Sequence, residues 1–326
     1  MSHRSFVTGA TGQIGLPLVR ALVAAGHEVT ALVRDEAKAS AVREAGATLL
    51  KGDLEDDAAL DKGIGAATHV WHMAGGIRGP GKMTADRLNH QGTHHVCEAA
   101  RKHKKTLQSL VYASSCAVYG DRSGLWVSED YAPAPATNYG RAKVSAEALL
   151  NRAAREEKLP FRVARIAAVY GAETRFTQAE QIRAGKAWLP GEGRNIVPII
   201  HVDDCVSALL LIGEKGGMNE TYNVSGPSTP TLKEFYSEVH KIVGGKPVTF
   251  FSTWVPSVFQ YAFAKQNEAL MERLGRKPRF TADNLRLFTA SVRAKLDRLE
   301  KELGFEWKYP DYRAGLAASL GGTSGA

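Results

Sequence analysis

The segment TGATGQIG at residues 8–15 constrains the fold more than any other feature, because a strand-like apolar run precedes it and an amphipathic helical pattern follows. The segment places Gly9, Gly12 and Gly15 at a strand-to-helix turn. Small residues there let the backbone approach a pyrophosphate at the helix N-terminus. An ordinary strand-turn-helix corner is the alternative, but the flanking strand and helix are the context that a dinucleotide-binding turn needs.

Strand-like and helical segments alternate through the first half of the chain, beginning with SFVTGA, LPLVRALVAAG and EVTALVR. Further strand-like runs are ATLLKGD, THVWHMAG, SLVYASS and RVARIAAVYG. This alternation predicts a parallel sheet with crossover helices, which is the doubly wound α/β (Rossmann) fold. Gly26 and Gly46 follow the first two helical patterns, where a left-handed C-cap favours glycine.

The alternation loosens after Gly171, where a polar, glycine-containing segment follows. A strand and a helix return in IVPIIHVDDCVSALLLIG, and the sequence from Thr229 onward has the pattern of aromatic-rich helices. We therefore expect a dinucleotide-binding domain over 1–170, completed by about 195–225. Residues 171–194 and 226–326 are expected to form a smaller, mostly helical substrate-binding cap.

Composition narrows the class of protein. The 326 residues are 44% hydrophobic and 23% charged, and no apolar run approaches the roughly 20 residues of a membrane span. The net charge of +8 is scattered apart from RKHKK at 101–105, without the interleaved aromatics of a nucleic-acid surface. Three widely spaced cysteines and the lack of a signal-peptide pattern favour a reducing compartment. We expect a cytoplasmic protein with no nucleic-acid partner.

The end of the second strand bears on the choice of nicotinamide cofactor. An acid there would bind the adenosine ribose hydroxyls and repel a 2′-phosphate. The sequence has Val33 at that place, followed by Arg34, whose planar guanidinium suits a phosphate. NADP(H) is favoured, and NAD(H) stays open because Arg34 could instead pair with Asp35 or Glu36 on the surface.

Two more strand ends carry residues that suit the cofactor. Asp53, in the GDL at 52–54, ends the third strand with a carboxylate that can accept the adenine amino group. HMAGG at 72–76 ends the fourth strand with small residues that let the backbone pass beside a ligand. Ligands of doubly wound sheets bind at these carboxyl ends.

Tyr139 and Lys143 form an i, i+4 pair, so on a helix both side chains emerge on one face. An ammonium nearby is expected to lower the tyrosine pKa toward values useful for general acid/base chemistry. Ser115 ends an apolar strand where it can hydrogen-bond a substrate oxygen. Ser114 should point to the opposite face, because side chains alternate along a strand.

Together, TGATGQIG, GDL, HMAG, LNHQGTHHVCEAA, YASSCAVYG, YGRAK, RIAAVYG and HVDD resemble the extended branch of the short-chain dehydrogenase/reductase superfamily. The resemblance implies that Tyr139 is the general acid/base, Lys143 its modulator, Ser115 the substrate-oxygen ligand and Asn89 an organiser of the lysine. It also implies a homodimer through helices around 90–105 and 140–155. The expected cofactor-binding residues are Gly9, Thr11, Gly12, Gln13, Ile14, Gly15, Arg34, Asp53, Leu54, Met73, Ala74, Gly75, Asn89, Tyr139, Lys143, Ile166 and Val169.

Departures from subfamily patterns narrow the reaction. Cys116 and Ala117 stand where the family's dehydratases carry carboxylates, which disfavours dehydration. Ala168 and the run IVPII replace the asparagine and arginine of nucleotide-sugar epimerases, although Arg175 or Arg194 could substitute. The chain most resembles the 3-beta-hydroxysteroid dehydrogenase and dihydroflavonol-reductase end of the branch.

The aromatic C-terminal half suits an apolar ketone or alcohol as the small-molecule substrate. Candidate pocket residues are Trp254, Phe259, Tyr261 and Phe263, each of which could instead belong to the core of the cap.

Three further hypotheses are weighed against a reductase. The first is a nucleotide-sugar epimerase with tightly bound NAD, and the second is a non-catalytic NADPH-binding regulator. The third is a metal site at His90, His94 and His95, but no further ligand completes a convincing set, so we expect no metal. Cys116 is expected to be a small buried residue.

Overall fold

In the computed structural model, the described residues are 3–77, 84–172, 174–251, 257–273 and 281–321. The strands are β1 Arg4–Thr8, β2 Glu28–Val33, β3 Thr48–Lys51, β4 His69–His72, β5 Ser109–Ser115, β6 Trp126–Val127, β7 Phe161–Ile166, β8 Ala168–Tyr170, β9 Trp188–Pro190, β10 Ile199–His201, β11 Thr221–Val224, β12 Thr249–Phe251 and β13 Arg293–Ala294. The α-helices are α1 Gly15–Ala24, α2 Ser40–Glu44, α3 Asp57–Gly65, α4 Gly92–Lys102, α5 Asn138–Glu157, α6 Ala179–Arg183, α7 Val202–Lys215, α8 Leu232–Val243, α9 Ser257–Arg273, α10 Ala282–Thr289 and α11 Tyr312–Leu320.

Seven strands form one parallel sheet in the order β11-β7-β5-β4-β1-β2-β3. In the centre, Val7 pairs with Ala31 of β2 on one side and with Trp71 of β4 on the other. The strand order reverses between β1 and β4, which is where doubly wound sheets bind ligands. The predicted Rossmann fold is therefore confirmed.

Burial explains why these segments form strands. Every residue of β4 and β7 is buried, as expected for parallel strands that are covered by helices on both faces. One apolar cluster joins the sheet to α1 and α7, and a second joins it to α3, α4 and α5. Gly26 and Gly46 have φ values of 84° and 96°, which confirms the left-handed ends of the first two helices.

The later part of the chain contributes both to the main sheet and to a separate cluster. The strand β11 adds to the sheet edge beside β7, and α7 packs against β5 and β7. A third apolar core lies between α6, α8 and α11 and includes Ile182, Phe235 and Leu316. Three short parallel strand pairs lie outside the main sheet. The pair β8–β10 has residues in both the first and the third apolar cluster, whereas β9–β12 belongs to the third and β6–β13 to the first.

The HVDD motif at 201–204 ties the C-terminal segment to the start of α7. The buried carboxylate of Asp204 accepts hydrogen bonds from the backbone N–H groups of Lys308 and Tyr309, at 2.8 and 3.0 Å. His201 caps the helix by accepting from the Asp203 N–H at 3.1 Å. Within the described ranges, no helix has the length and apolar character that a membrane span requires.

Candidate active site

The glycine loop between β1 and α1 packs closely against the backbone that follows β4. Gly9 has a φ of 72°, and a Cβ at this position would lie 2.6 Å from the backbone nitrogen of Ala74. The helix α1 begins without a side-chain cap and without an acid in its own first turn, so neither competes with an anionic ligand for its N-terminal N–H groups. Thr11, Gly12 and Gln13 are exposed on this loop, and Ile14 is half-buried. These residues fit a dinucleotide.

Arg34 is exposed directly after β2, and Val33 before it is buried. The two acids that follow are engaged with other cations. Asp35 pairs with Lys38 at 3.0 Å, which lowers the pKa of Asp35, and Glu36 pairs with Arg43 at 3.2 Å. Arg34 therefore has no ion pair among the described residues.

Two residues of the GDL segment after β3, Asp53 and Leu54, have different surroundings. Asp53 is exposed, and its carboxylate accepts the backbone N–H of Glu55 at 2.8 Å, which fixes a tight turn. Leu54 packs against α4, where a Cβ on Gly92 would lie 2.6 Å from the Leu54 side chain. Asp53 is thus open to a ligand, whereas Leu54 closes the gap between β3 and α4.

Asn89 holds the loop that follows β4. Its amide donates to the carbonyls of Gly76 and Ala85 at 2.8 and 2.6 Å, and its Oδ1 accepts from the Gly76 N–H at 3.1 Å. The residue is fully buried within a π-helical turn over Arg87–Gln91. A Cβ on Gly75 would lie 2.7 Å from both Asn89 Oδ1 and Lys143 Nζ. Asn89 therefore positions the backbone beside the lysine.

Tyr139 and Lys143 lie in the first two turns of α5, which Thr137 caps by accepting the Gly140 N–H at 2.9 Å. The Lys143 ammonium donates to the carbonyl of Ala113 at 2.6 Å and lies 5.8 Å from the centre of the Tyr139 ring. It also lies 4.7 Å from the centre of the buried Tyr112 ring. The predicted pair thus shares one helix face beside the end of β5.

The expected lowering of the tyrosine pKa is wrong for this structure. Burial raises the pKa of Tyr139, and a hydrogen bond with Ser115 lowers it by less. The Lys143 ammonium is directed at the Ala113 carbonyl, 2.6 Å away, and not at the Tyr139 hydroxyl. Burial instead lowers the pKa of Lys143 to about 7, although the Glu147 carboxylate acts in the other direction.

The two serines at the end of β5 point to different partners. Ser115 lines a cavity beside the end of β5, and its hydroxyl also accepts the Ala117 N–H at 3.2 Å. Ser114 donates to the buried carboxylate of Glu147. Glu147 in turn forms a buried ion pair with Arg165, with oxygen–nitrogen distances of 2.8 and 3.2 Å.

Sequence reasoning did not identify this ion pair. Tyr139, Lys143 and Glu147 follow one another at intervals of four residues, so the spacing could have placed the glutamate on the same helix face. Its partner Arg165 lies on β7, and only the packing of α5 on the sheet brings the two side chains together.

Tyr139 and Ser115 open into a cavity of about 270 Å³ with a mostly apolar lining. The lining residues are Ile77, Ser115, Cys116, Ala117, Gly120, Ala136, Thr137, Tyr139, Ile166, Ala167, Ala168, Phe176, Val197, Pro198, Leu232, Arg286, Leu287, Phe288, Ala290 and Val292. Ile166 is among them, whereas Val169 packs against the main core. Cys116 is buried, and burial raises the pKa of its thiol to about 12.

The predicted aromatic lining is replaced by other residues. Phe263 is 70% exposed, and Tyr261 lies under the guanidinium of Arg286 instead of lining the cavity. Trp254 and the side chain of Phe259 lie outside the described residues. Phe176 and Phe288 supply the aromatic surface. Phe176 lies in a single 3-10 turn at Arg175–Thr177, and Phe288 lies on α10. Tertiary packing decides which side of each of these segments faces the cavity.

The arginines considered for a nucleotide sugar and the histidines considered for a metal are not among the residues that line the cavity. Arg175 is exposed, and Arg194 is exposed and pairs with Glu192 at 2.9 Å. His95 pairs with Asp57 at 2.8 Å, and His90 lies 3.7 Å from Asp86. In the part of the chain that the structure describes, no group of three or more His, Cys, Asp or Glu side chains could hold a metal ion.

Comparison with known proteins adds independent information. A model of the NAD dependent epimerase/dehydratase family matches residues 5–225. A 4-hydroxy-2-methyl-3-oxo-4-farnesyl-3,4-dihydroquinoline-1-oxide ketoreductase of Stigmatella aurantiaca is 29% identical over 313 residues, covering 93% of this chain and 91% of that protein. A 3-diazoavenalumate denitrifying reductase of a Streptomyces species is 28% identical over 333 residues, covering 96% and 99%. The structure of a UDP-glucuronic acid 4-epimerase from Bacillus cereus, with UDP-glucuronic acid and NAD, has a TM-score of 0.76 at 21% identity, covering 97% of this chain and 98% of its own, and shows likeness of fold.

Proposed function

The chain belongs to the NAD dependent epimerase/dehydratase family, and we propose that it interconverts an apolar ketone and its secondary alcohol with NADP(H). It is an enzyme of the short-chain dehydrogenase/reductase type that uses a nicotinamide cofactor. The observation that carries the proposal is the position of Tyr139 and Ser115 on the wall of a mostly apolar cavity. The name of the Stigmatella relative, a ketoreductase whose substrate bears a farnesyl group, supports the same substrate class.

Three side chains supply the proton chemistry in this proposal. When bound, the nicotinamide supplies or accepts a hydride at the carbonyl carbon. Tyr139 gives its phenolic proton to the substrate oxygen in reduction and takes it back in oxidation. Its raised pKa keeps the phenol protonated at neutral pH, which is the form that reduction needs. Ser115 donates a hydrogen bond to the same oxygen. The ammonium of Lys143, 5.8 Å from the centre of the Tyr139 ring, is proposed to favour the phenolate through its charge while it stays bound to the Ala113 carbonyl.

Replacing Tyr139 with phenylalanine tests this assignment directly. The change removes only the phenolic oxygen, so we expect kcat to fall about 100-fold or more while the cofactor dissociation constant stays within about twofold. A Tyr131→Phe variant is the matched control, because Tyr131 is exposed and lies outside the cavity lining. Unchanged turnover in the Tyr139→Phe variant would refute the assignment.

Preference for NADP(H) is proposed from the exposed guanidinium of Arg34 and the lack of an acid at Val33. An Arg34→Ala variant should bind NADPH about 10- to 100-fold more weakly and NADH within about twofold, as expected for the loss of a charged hydrogen-bond donor. Arg43→Ala removes a nearby exposed cation that already pairs with Glu36 and serves as the control. Equal weakening for both cofactors would exclude a 2′-phosphate role.

Epimerisation of a nucleotide sugar is the second candidate, because the UDP-glucuronic acid epimerase shares the fold. The cavity lining offers it little support, since Ala168 replaces the expected asparagine and neither Arg175 nor Arg194 lies in the lining. An epimerase would hold NAD tightly and interconvert UDP-sugars without net oxidation of added cofactor. A side-by-side screen of apolar ketones and UDP-sugars separates the two activities.

A non-catalytic regulator would instead show saturable NADPH binding and no turnover on either set of substrates.

We also propose that residues 1–170, with about 195–225, bind the cofactor and that residues 171–194 and 226–326 bind the substrate. A homodimer through helices around 90–105 and 140–155 and a cytoplasmic location stay predictions. Light scattering of the purified protein measures the former.

A further inference from the structure

Arg286 is the only charged side chain among the described residues that line the cavity. It lies on α10 and is exposed, whereas Cys116, Ile166 and Leu232 of the same lining are buried. As far as the structure describes its lining, the cavity therefore has a buried apolar portion and one cation on its solvent side.

Two contacts fix the guanidinium in place. One Nη1–H donates to the carbonyl of Ala136 at 2.9 Å, and the guanidinium carbon lies 3.8 Å from the centre of the Tyr261 ring. Ala136 immediately precedes Thr137, the residue that caps the helix carrying Tyr139. Arg286 is thus tied to the start of the catalytic helix. A guanidinium has five N–H donors, so one bond to a carbonyl leaves most of them for a ligand.

The carboxylates nearest in sequence are directed elsewhere. Asp283 accepts the backbone N–H of Asn138 at 2.8 Å, and Glu268 accepts that of Ala282 at 2.7 Å. A second cation, Lys265, lies 5.5 Å from the centre of the same Tyr261 ring. Over the described ranges, no carboxylate lies within ion-pair distance of either cation. Two cations near one ring, neither of them in an ion pair among the described residues, favour the approach of an anion.

We propose that Arg286 binds an oxyanion carried by the substrate at the mouth of the cavity. This inference rests on the proposed function and refines its substrate class to an apolar ketone or alcohol with one carboxylate or phosphate. The apolar body packs against Phe176 and Phe288, the carbonyl reaches Tyr139, and the anion meets the guanidinium. Arg286 is a specificity-determining residue in this arrangement, since it does not act on the reacting atoms.

The test compares paired substrates that differ only in charge. Methyl-ketone carboxylic acids with short, medium and long methylene chains are assayed against their methyl esters, with NADPH and with NADH. The proteins are the wild type, Arg286→Gln and Arg286→Lys. Arg194→Gln is the control, because it removes one positive charge from a side chain that is 86% exposed and outside the lining.

In the wild type, we expect the best acid to exceed its ester in kcat/KM by about tenfold or more. Arg286→Gln should lower kcat/KM for that acid by about 10- to 100-fold and leave the ester within about threefold. Arg286→Lys should restore part of the preference, since it keeps the charge but loses the planar fork. If Arg286 only supports the structure, Arg286→Gln lowers kcat/KM equally for the acid and the ester. An acid-to-ester ratio of kcat/KM that is unchanged in Arg286→Gln would therefore overturn the proposal.

Equilibrium binding of the same acids and esters to the protein with NADP⁺ separates this inference from the proposed function. Binding of acids that depends on Arg286 supports the anion site even where no ketone turns over, and the missing turnover then counts against the reductase alone. Equal turnover of acids and esters supports the reductase and overturns the anion site. Adding UDP as a competitor tests whether the site prefers a diphosphate to a carboxylate. Binding of UDP or of the acid supports the anion site only if the Arg286→Gln variant abolishes that binding.

Discussion

Replacing Lys143 with methionine should stabilise the folded protein while removing its activity, because Lys143 is a buried cation. The residue is 2% exposed, and burial lowers its pKa from 10.5 to about 7. The folded-state pKa lies below the unfolded-state value, so the unfolded chain holds the extra proton between these values. The cost of burial is therefore largest below pH 7 and disappears as the pH approaches 10.5.

The magnitude follows from about 1.36 kcal/mol per pKa unit, which gives a cost of about 4 kcal/mol at pH 7. Methionine has a similar length, is apolar and removes this cost. It also removes the hydrogen bond from Nζ to the Ala113 carbonyl, which is worth about 1.5–3 kcal/mol for a charged donor. The expected net gain in the free energy of unfolding at pH 7 is about 1–3 kcal/mol.

Urea unfolding without added cofactor, at pH 7 and at pH 9.5, measures this difference. At pH 9.5 the cost of burying Lys143 in the wild type is about 3 kcal/mol smaller than at pH 7. The difference in the free energy of unfolding between variant and wild type should therefore disappear or change sign. Lys62→Met is the control, because Lys62 is exposed and the net charge changes equally. A variant that is less stable than the wild type at pH 7, or a difference that does not depend on pH, would refute the reasoning.

Two further predictions concern residues near the same sheet. Burial lowers the pKa of His69 to about 4 and of His72 to about 3, so the unfolded chain takes up protons first. The folded state should therefore lose about 2 kcal/mol per histidine as the pH falls from 7 to 5, and a His69→Asn variant should show a smaller loss in urea titrations at the two pH values. Gly75→Ala should displace the Lys143 ammonium, since its Cβ would lie 2.7 Å from Nζ. We expect kcat to fall about tenfold through misplacement of the lysine. The free energy of unfolding should fall by about 1–3 kcal/mol, because the same Cβ would lie 2.7 Å from Oδ1 of the buried Asn89. A variant with full activity would contradict the close approach.

The sequence predicted the central sheet well because its signals are local. A strand, three glycines and an amphipathic helix follow one another in TGATGQIG, and burial on both faces makes the parallel strands continuous apolar runs. The i, i+4 spacing of Tyr139 and Lys143 likewise depends only on helix geometry. For these features, neighbours along the chain are also neighbours in space.

The cavity could not be predicted in the same way. Its lining draws on segments from Ile77 to Val292, so no window of sequence contains it. The aromatics proposed from composition were wrong where the structure describes them, because Phe263 faces solvent and Tyr261 packs under Arg286. Aromatic content indicates that an apolar surface exists, but the packing of α9 and α10 decides which side chains face the cavity.

By itself, the sequence determined the doubly wound sheet, the glycine turn between β1 and α1 and the pairing of a tyrosine with a lysine on one helix face. Tertiary structure alone decided the electrostatics of that pair. The Ala113 carbonyl captures the ammonium of Lys143, and burial raises the pKa of Tyr139 while lowering that of Lys143. The physical reason is that desolvation depends on everything packed around a group, whereas helix spacing depends only on the positions of residues along the chain.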